Sequence, residues 1–244
     1  MRKLIDGGIG DILLSLEGAL AEESIDLFSH FAGAKQMVEQ AGVKVENFVY
    51  YQDKSPADKT TENVVPLSLY PSFKLPVSPQ EVKAKLSLDD RKIVGIHPFG
   101  SKYSNDYWGK QGYPLKSFSQ ENVIHIIDRL REVYQFLIFG TPDELEEYKY
   151  CYSNNDAQPV CLPIWESLAA VRLCEAVVAT DSAIKTMSAI SRIPTKVYLG
   201  NYNDMFRDKV FIEPYIRDGV MQVWQYIKTT NNMFDPVIDA LLSY

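Results

Sequence analysis

The amino-acid sequence predicts an α/β fold in which parallel strands alternate with helices in two successive series. Short apolar runs that end at turn residues alternate with amphipathic stretches of helical spacing, both before residue 52 and after residue 91. The clearest example is 176–200, where an apolar run stops at Thr180-Asp181-Ser182, a helical stretch follows, and a second apolar run ends at Gly200. Such alternation is typical of βαβ units with parallel strands. A hydrophobic content of 46% with 23% charged residues is that of a globular protein with a sizeable core.

The first series ends at residue 51. Its predicted elements are strands at 3–5, 25–28 and 47–51 and helices at 12–21 and 34–41. A polar segment from 52 to 79 follows, punctuated by prolines and containing one further predicted strand near 64–69. We interpret this segment as the remainder of a small first domain, which we expect to cover 1–85.

The second series is longer, and it predicts a second α/β domain over residues 86–230. Its predicted strands lie at 92–97, 135–139, 159–162, 176–179 and 196–199. The predicted helices lie at 120–134, 142–150, 167–174, 183–191, 218–227 and 233–242. Capping residues support two of the helix starts, at Thr141 and at Asp181-Ser182.

Composition and charge exclude several classes of protein. A net charge of −7 argues against a broad nucleic-acid interface, which needs clustered lysine and arginine. No apolar run approaches the roughly 20 residues that span a membrane, and the N-terminal MRKLIDGGIGD lacks the apolar segment of a signal peptide. Three scattered cysteines predict neither a disulfide framework nor a zinc site, so the expected compartment is the cytoplasm. The three histidines share no metal-ligand spacing, and we expect no metal site.

Four loops follow predicted strands, which is where open α/β sheets bind their ligands. These loops are 7–11, 98–102, 140–144 and 180–182. In the first loop, Gly8 and Gly10 let the backbone approach a ligand closely, and Asp11 follows at a helix start. Asp11 has two interpretations: a carboxylate that only stabilises the helix dipole, or a general base that faces a ligand.

The other loops combine features that suit an anion. The loop Gly100–Lys102 offers close approach, a hydroxyl donor and an ammonium group. Asp181-Ser182 starts a helix whose N-terminus favours negative charge, and Lys185 lies one turn on. Each of these groups is alternatively an ordinary solvated or helix-capping side chain.

Two further side chains at strand ends have both a functional and a structural interpretation. Glu144, after Gly140-Thr141, is placed to accept a hydrogen bond from a sugar hydroxyl or a base amine, or it belongs to a solvated helix face. We interpret His97, at the end of a strand, as a core or loop-orienting histidine rather than a catalyst.

Four segments, in order along the chain, resemble a known family. MRKLIDGGIGDILLSLEGAL resembles a first strand leading into a Gly-Asp-x-Leu loop, and VGIHPFGSK a strand that ends in a His-Pro-Gly-type loop. PLKSFSQENVIHIIDRL and FLIFGTPDELEEY resemble the following helix, strand and glycine-containing loop. ESLAAVRLCEAVVATDSAIKTMSAISRIPTKVYLG resembles an Asp-Ser/Thr-Gly-x-x-His helix start followed by a Pro-Thr strand and glycine. These are the motifs of glycosyltransferase family 9, the heptosyltransferase-like enzymes, and the resemblance covers 1–50 and 92–228.

The resemblance implies a GT-B-like fold: two facing Rossmann-like parallel-sheet domains, with the N-terminal acceptor-side domain reduced and the final helix, 231–244, packing back on it. It also implies transfer of a sugar from a nucleotide-diphosphate donor to an acceptor hydroxyl, with inversion at the anomeric carbon. Asp11 matches the acceptor-activating base, beside Gly8 and Gly10 of the acceptor-side loop. The candidate donor-binding residues are Gly100, Ser101, Lys102, Gly140, Thr141, Glu144, Asp181, Ser182, Ala183 and Lys185.

No cofactor is expected besides the nucleotide-sugar co-substrate, and the absence of an Asp-x-Asp motif beside these loops predicts that no metal is required. Two positions depart from the family: Ala183 stands where glycine is usual and Thr186 where a histidine contacts the donor. Lys185 is a candidate to supply the missing positive charge. The N-terminal half is shorter than is usual, so the resemblance does not identify the acceptor, which is a saccharide, a lipid-linked glycan or a modified nucleobase.

Two other classes of function fit the same residues. One is a non-catalytic nucleotide or nucleotide-sugar binding protein, which the departures at Ala183 and Thr186 permit. The other is a nucleotide-sugar epimerase of GT-B shape. Fold alone does not separate these classes from a transferase.

Overall fold

The computed structural model describes residues 2–52, 55–57, 63–100, 117–152, 156–199, 212–225 and 234–242. The chain divides into two compact units, 1–78 and 79–244. The boundary lies before the predicted one at 85/86, because the helix Pro79–Leu86 packs on the helix Ile164–Val171 of the second unit. Lys85 in the former helix also bonds Glu166 in the latter, with 2.5 Å between Nζ and Oε2.

The first unit contains a three-stranded parallel sheet of strand order β1-β2-β3. Its elements are β1 (Lys3–Asp6), α1 (Ile9–Leu20), β2 (Ile25–Ser29), α2 (Ala34–Gln40) and β3 (Val45–Tyr50). The strand predicted near 64–69 is reduced to a single parallel bridge between Val64 and Leu4, on the edge of β1 opposite β2. The βαβ alternation predicted for this region is confirmed.

The second unit contains a six-stranded parallel sheet of order β6-β5-β4-β7-β8-β9. Its strands are β4 (Lys92–His97), β5 (Tyr134–Phe139), β6 (Ala157–Val160), β7 (Ala176–Ala179), β8 (Thr195–Leu199) and β9 (Met221–Gln225). The helices described are α3 (Pro79–Leu86), α4 (Gln120–Leu130), α5 (Pro142–Glu147), α6 (Ile164–Val171), α7 (Ala183–Ile190), α8 (Glu213–Arg217) and α9 (Asp235–Leu242), with a 3-10 turn at Lys149–Tyr152.

The central strands β5 and β7 are buried along their whole length, as expected for a parallel sheet with both faces covered. One face packs on the apolar side of α4, whose start is capped by the Ser119 hydroxyl accepting from the Asn122 backbone N–H at 3.3 Å. The core on this face includes Val94, Ile96, Phe136, Ile138, Val178, Val123, Ile126, Ile127 and Leu130. This rigid core fixes the positions of the strand ends that carry the polar loops.

The final helix α9 belongs to the second unit and packs in its core; that 231–244 packs back on the first domain stays a prediction. Phe234, Ile238 and Leu241 are buried in the core of the second unit. The Tyr134 hydroxyl donates to the Leu241 carbonyl at 2.7 Å, and His125 Nε2 lies 3.0 Å from Asp235 Oδ1. The apolar side of the helix therefore completes the core under α4.

The helix predicted over 218–227 is corrected, because this stretch contains strand β9. The preceding helix α8 ends at Arg217, and Gly219 has φ of +73°, a conformation that terminates helices. The backbone of β9 then pairs in parallel with β8, from Thr195 opposite Met221 to Leu199 opposite Gln225. The apolar and polar alternation of Met221, Gln222 and Val223 fits a strand better than a helix.

Candidate functional site

The strand order of the second unit creates a topological switch point between β4 and β7. Counted from β4, the order 6-5-4-7-8-9 is that of doubly wound nucleotide-binding sheets, in which ligands bind where the connections diverge. The loop after β4 starts at Pro98 and the loop after β7 at Thr180, so two of the predicted ligand loops flank this point. Two hydrogen bonds join them: Thr180 N–H donates to the His97 carbonyl at 3.1 Å and Thr180 Oγ1 to the Phe99 carbonyl at 2.7 Å.

The helix start at Asp181-Ser182 is formed as the sequence predicts. Ser182 is the N-cap of α7, and its hydroxyl accepts from the Lys185 backbone N–H at 3.4 Å. The Lys185 ammonium lies 2.7 Å from Asp181 Oδ1, and the lysine side chain is only 5% exposed, against 30% for the aspartate. The charge of Lys185 is thus balanced inside the loop, rather than presented to solvent.

The third loop, after β5, packs against the loop after β4. A Cβ on Gly140 would lie 2.7 Å from the Phe99 ring and 3.2 Å from Leu145, so glycine is needed there for close packing. Thr141 caps α5 as predicted, and Glu144 Oε2 accepts from the Thr141 N–H at 2.8 Å and from its hydroxyl at 2.9 Å. Glu144 therefore serves as the second half of a capping box.

His97 ends β4 at the switch point. Its Nδ1 is buried and has no hydrogen-bond partner among the residues that the structure describes. The ring meets Phe99 edge to face, with 5.7 Å between centroids. Burial lowers the pKa of His97 from 6.5 to about 4, so the imidazole is neutral near pH 7. These contacts agree with the interpretation of His97 as a loop-orienting residue.

In the first unit, Asp11 lies in the first turn of α1, and its carboxylate turns back over the glycine loop. Asp11 Oδ2 accepts from the Gly8 backbone N–H at 2.8 Å. Gly7 has φ of +149°, and a Cβ there would lie 2.2 Å from the same oxygen. Glycine at position 7 is therefore required both by the backbone conformation and by the close approach of the carboxylate. Gly10 lies within the first turn of α1.

Three further polar side chains lie at the carboxyl ends of β1, β2 and β3. The Tyr51 hydroxyl donates to Asp6 Oδ1 at 2.8 Å, and His30 meets the Tyr51 ring edge to face at 5.9 Å. Burial, then the hydrogen bond and charge of Asp6, with a contribution from Asp11, raise the pKa of Tyr51 to about 12. None of these three residues is among the sequence-predicted site residues, although each ends or directly follows a strand, as the loop of Asp11 does.

The described candidate residues lie in two groups, one at the carboxyl ends of the strands in each sheet. Asp11, Gly8 and Gly10 belong to the first sheet. The donor candidates that belong to the second sheet are Gly100, Gly140, Thr141, Glu144, Asp181, Ser182, Ala183 and Lys185. Gly100 N–H donates to the Ser117 hydroxyl at 2.9 Å, while Ser101 and Lys102 lie outside the described residues. Of the two departures from the family pattern, Ala183 is the first residue of α7 and Thr186 is buried within it.

No group of three or more histidine, cysteine, aspartate or glutamate side chains within the described ranges is arranged to hold a metal ion. Among the helices that the structure describes, none combines the length and apolar character that crossing a membrane requires.

No protein-family model and no curated protein sequence matches the chain. Solved structures do match, at low sequence identity. Escherichia coli ADP-heptose lipopolysaccharide heptosyltransferase II aligns with a TM-score of 0.64 at 13% identity, over 99% of this chain and 98% of that one. E. coli heptosyltransferase WaaC with ADP gives a TM-score of 0.59 at 12% identity, over 100% and 98%.

A third structure extends the comparison to another organism. The glycosyl transferase family 9 protein from Veillonella parvula DSM 2008 aligns with a TM-score of 0.57 at 12% identity, over 99% of this chain and 89% of that one. Likeness at such identity concerns the fold. The chain has the GT-B-like α/β fold of these glycosyltransferases, and the predicted fold class is confirmed.

Proposed function

We propose that this protein is a glycosyltransferase that moves a sugar from a nucleotide-diphosphate donor to an acceptor hydroxyl. The proposal rests on two features in a chain whose fold resembles that of heptosyltransferases. One is the carboxylate of Asp11, held in the loop after β1, and the other is the capped helix start at the switch point between β4 and β7. The first arrangement suits a base, and the second suits a phosphate group.

The proposed donor site is the carboxyl edge of the second sheet. Two of the matching E. coli structures are complexes with ADP and with ADP-2-deoxy-2-fluoro heptose, which favours a nucleoside diphosphate here. Because Asp181 balances Lys185, the attraction for the diphosphate comes first from the N-terminal dipole of α7. Ser101 and Lys102, which the resemblance assigns to the donor-phosphate loop, lie outside the described residues and stay predicted donor contacts.

The proposed chemistry uses Asp11 as the general base. The acceptor hydroxyl gives its proton to the Asp11 carboxylate, and the acceptor oxygen bonds to the anomeric carbon of the donor sugar. The bond from that carbon to the diphosphate oxygen breaks, and its electron pair leaves with the nucleoside diphosphate. Attack opposite the leaving group inverts the anomeric centre. A base positioned in this way contributes about 10²–10⁴-fold to the rate.

We further propose that transfer requires no divalent metal, because dipoles and cations at the donor site stabilise the departing diphosphate. Activity should then be the same in EDTA as in Mg²⁺ or Mn²⁺. Activity that disappears in EDTA and returns with either ion would contradict this part of the proposal. We also propose a cytoplasmic location, as the few cysteines suggest.

The test of the proposal combines binding and turnover. Calorimetry with ADP, UDP and GDP should detect binding of at least one nucleoside diphosphate, and the matching nucleotide sugars should release it slowly with water as the acceptor. Addition of saccharide acceptors should accelerate the release. A folded protein that binds none of the three at millimolar concentration would refute the donor site.

One observation favours the alternative of a nucleotide or nucleotide-sugar binding protein without transferase activity. Lys185, the residue expected to compensate for the missing histidine at position 186, is paired with Asp181. Tight binding of a nucleoside diphosphate without any turnover of nucleotide sugars would select this alternative.

A further inference from the structure

The carboxyl edge of the first sheet holds more chemistry than the proposed base alone. His30 directly follows β2, and Tyr51 directly follows β3. Tyr51 N–H donates to the Ser29 carbonyl at 3.1 Å, which continues the pairing of β2 and β3 to the residues beside the loop. The Ser29 hydroxyl donates to the Gly7 carbonyl at 2.7 Å, so the end of β2 is fixed to the glycine loop after β1.

His30 and Asp11 lie on either side of Gly8. A Cβ built on Gly8 would lie 3.0 Å from both Cε1 and Nε2 of His30, and 3.9 Å from Asp11 Oδ2. The backbone of Gly8 has φ of −86°, which any residue adopts. Glycine at position 8 therefore serves to leave space between an imidazole and a carboxylate, rather than to permit an unusual backbone conformation.

The orientation of His30 is supported from the other side. Its ring meets Tyr51 edge to face, with an interplanar angle of 68°. Tyr51 is itself held by the 2.8 Å hydrogen bond from its hydroxyl to Asp6. The His30 side chain is exposed, whereas its neighbour Ser29 is fully buried. An exposed imidazole beside the proposed base, supported by a tyrosine that is fixed in turn, is arranged to contact a ligand.

We propose that His30 is an acceptor-positioning residue, which hydrogen-bonds the acceptor and directs its hydroxyl toward Asp11; this inference rests on the proposed glycosyltransferase function. Tyr51 and Asp6 act through His30 by holding its ring. A neutral imidazole has one nitrogen that donates a hydrogen bond and one that accepts, so it can bind a hydroxyl group through either nitrogen. The ligand proposed for this edge therefore carries hydroxyl groups. A saccharide meets that description.

The first test uses the small number of histidines. The chain has three, His30 in the first unit and His97 and His125 in the second, so proton NMR of the ring Cε1–H groups gives three signals that single His→Gln variants assign. Titration with simple mono- and disaccharides should shift the His30 signal in a saturable way and leave that of His125 unchanged. If no saccharide in the panel moves the His30 signal, the inference is overturned.

The second test separates acceptor binding from chemistry. In the wild type, a saccharide should increase the release of nucleoside diphosphate above the rate with water. His30→Ala should raise the KM for the saccharide about 3- to 10-fold, the range expected for loss of one hydrogen bond, with donor affinity and hydrolysis by water within about twofold. His30→Gln, which keeps a hydrogen-bonding group, should recover part of the loss. Lys35→Ala, an exposed residue of the same unit, is the matched control.

Gly8→Ala provides an independent check, because it narrows the space beside His30 and removes neither functional group. It should also raise the KM for the saccharide. Equal acceptor KM values in wild type, His30→Ala and Gly8→Ala, in a protein that transfers sugar, would overturn the role of His30 and leave the proposed function intact. Absence of nucleoside diphosphate binding and of donor turnover in the wild type would refute the proposed function itself.

Discussion

The two sheets hold a carboxylate at the same topological position, but by different means. Asp11 lies in the first turn of the helix that follows β1, and Asp181 directly precedes the N-cap of the helix that follows β7. Asp11 is held by a backbone N–H and by contact with a glycine of positive φ. Asp181 is held by the ammonium of Lys185, whose side chain is almost fully buried.

The difference assigns different chemistry to the two edges. At the first edge, the Gly8 backbone N–H donates to Asp11 Oδ2, and a second carboxylate, Asp6, accepts from the Tyr51 hydroxyl. That edge is rich in acceptors and suits proton removal from a hydroxyl. At the second edge the Lys185 ammonium balances the charge of the Asp181 carboxylate. An anionic ligand is therefore not repelled there by a net negative charge. The four predictions that follow test this comparison, from the largest expected effect to the smallest.

Asp11→Asn should produce the largest change. The amide keeps the shape of the side chain and an oxygen that accepts from Gly8 N–H, but it removes the basic group. If Asp11 is the base, kcat for transfer should fall about 10²–10⁴-fold, while the free energy of unfolding and the affinity for nucleoside diphosphate stay nearly unchanged. Steady-state kinetics and calorimetry measure the three quantities. A variant with wild-type kcat, or one that loses stability without a specific rate defect, would assign Asp11 to helix stabilisation alone, which is worth about 0.3–1 kcal/mol.

Gly7→Ala tests whether the glycine loop exists to accommodate the carboxylate. The substitution combines an unfavourable φ with a Cβ placed 2.2 Å from Asp11 Oδ2, so we expect a loss of about 3–5 kcal/mol in the free energy of unfolding. Gly42→Ala is the matched control in the same unit, because Gly42 has φ of +93° and its nearest contact would be Leu20 at 3.8 Å. Its loss should be about 1–2 kcal/mol. Chemical denaturation measures both; equal losses would show that contact with Asp11 is not what requires glycine.

Sequence reasoning succeeded where the signal is local. The alternation of apolar and amphipathic segments predicted both parallel sheets, and the residue types at Thr141 and Ser182 predicted two helix caps that the structure contains. The strand-end rule also selected the two loops that meet at the switch point, whereas the role of Asp11 stays a prediction.

It failed where long-range contacts decide. The stretch that forms β9 has five residues, and the apolar alternation in so short a run is a weak signal that pairing with β8 reinforces. The apolar side of α9 is visible in the sequence, but which core it enters is not. The pairing of Lys185 with Asp181 depends on a buried side-chain position, and the contact of His30 with Tyr51 brings together residues from two separate strands.

The third prediction concerns pH and the second edge. His97, whose Nδ1 is buried, has a pKa of about 4, below its ordinary value of 6.5, so the unfolded chain binds more protons than the folded one between these values. The contribution of His97 to the free energy of unfolding is therefore fully present above pH 6.5. It is lost as the pH falls toward 4, by about 3 kcal/mol in total. Urea denaturation between pH 4 and 7 should show this fall in the wild type relative to His97→Gln. Parallel pH profiles for the two proteins would mean that His97 does not titrate as a buried group.

The smallest effect should come from the pair that distinguishes the second edge. Lys185 and Lys35 each form an ion pair with an acid four residues away, but the Lys185 side chain is 5% exposed and that of Lys35 is 47% exposed. Lys185→Met should cost about 1–2 kcal/mol of unfolding free energy, because it removes the buried ammonium that pairs with Asp181, whose carboxylate is 30% exposed and therefore partly hydrated. Lys35→Met should cost at most about 0.5 kcal/mol. If nucleoside diphosphate binding weakens in Lys185→Met but not in Asp181→Asn, the ammonium contacts the ligand directly. If both substitutions weaken binding together, the pair acts by holding the helix start, and the contrast between the two sheet edges stands.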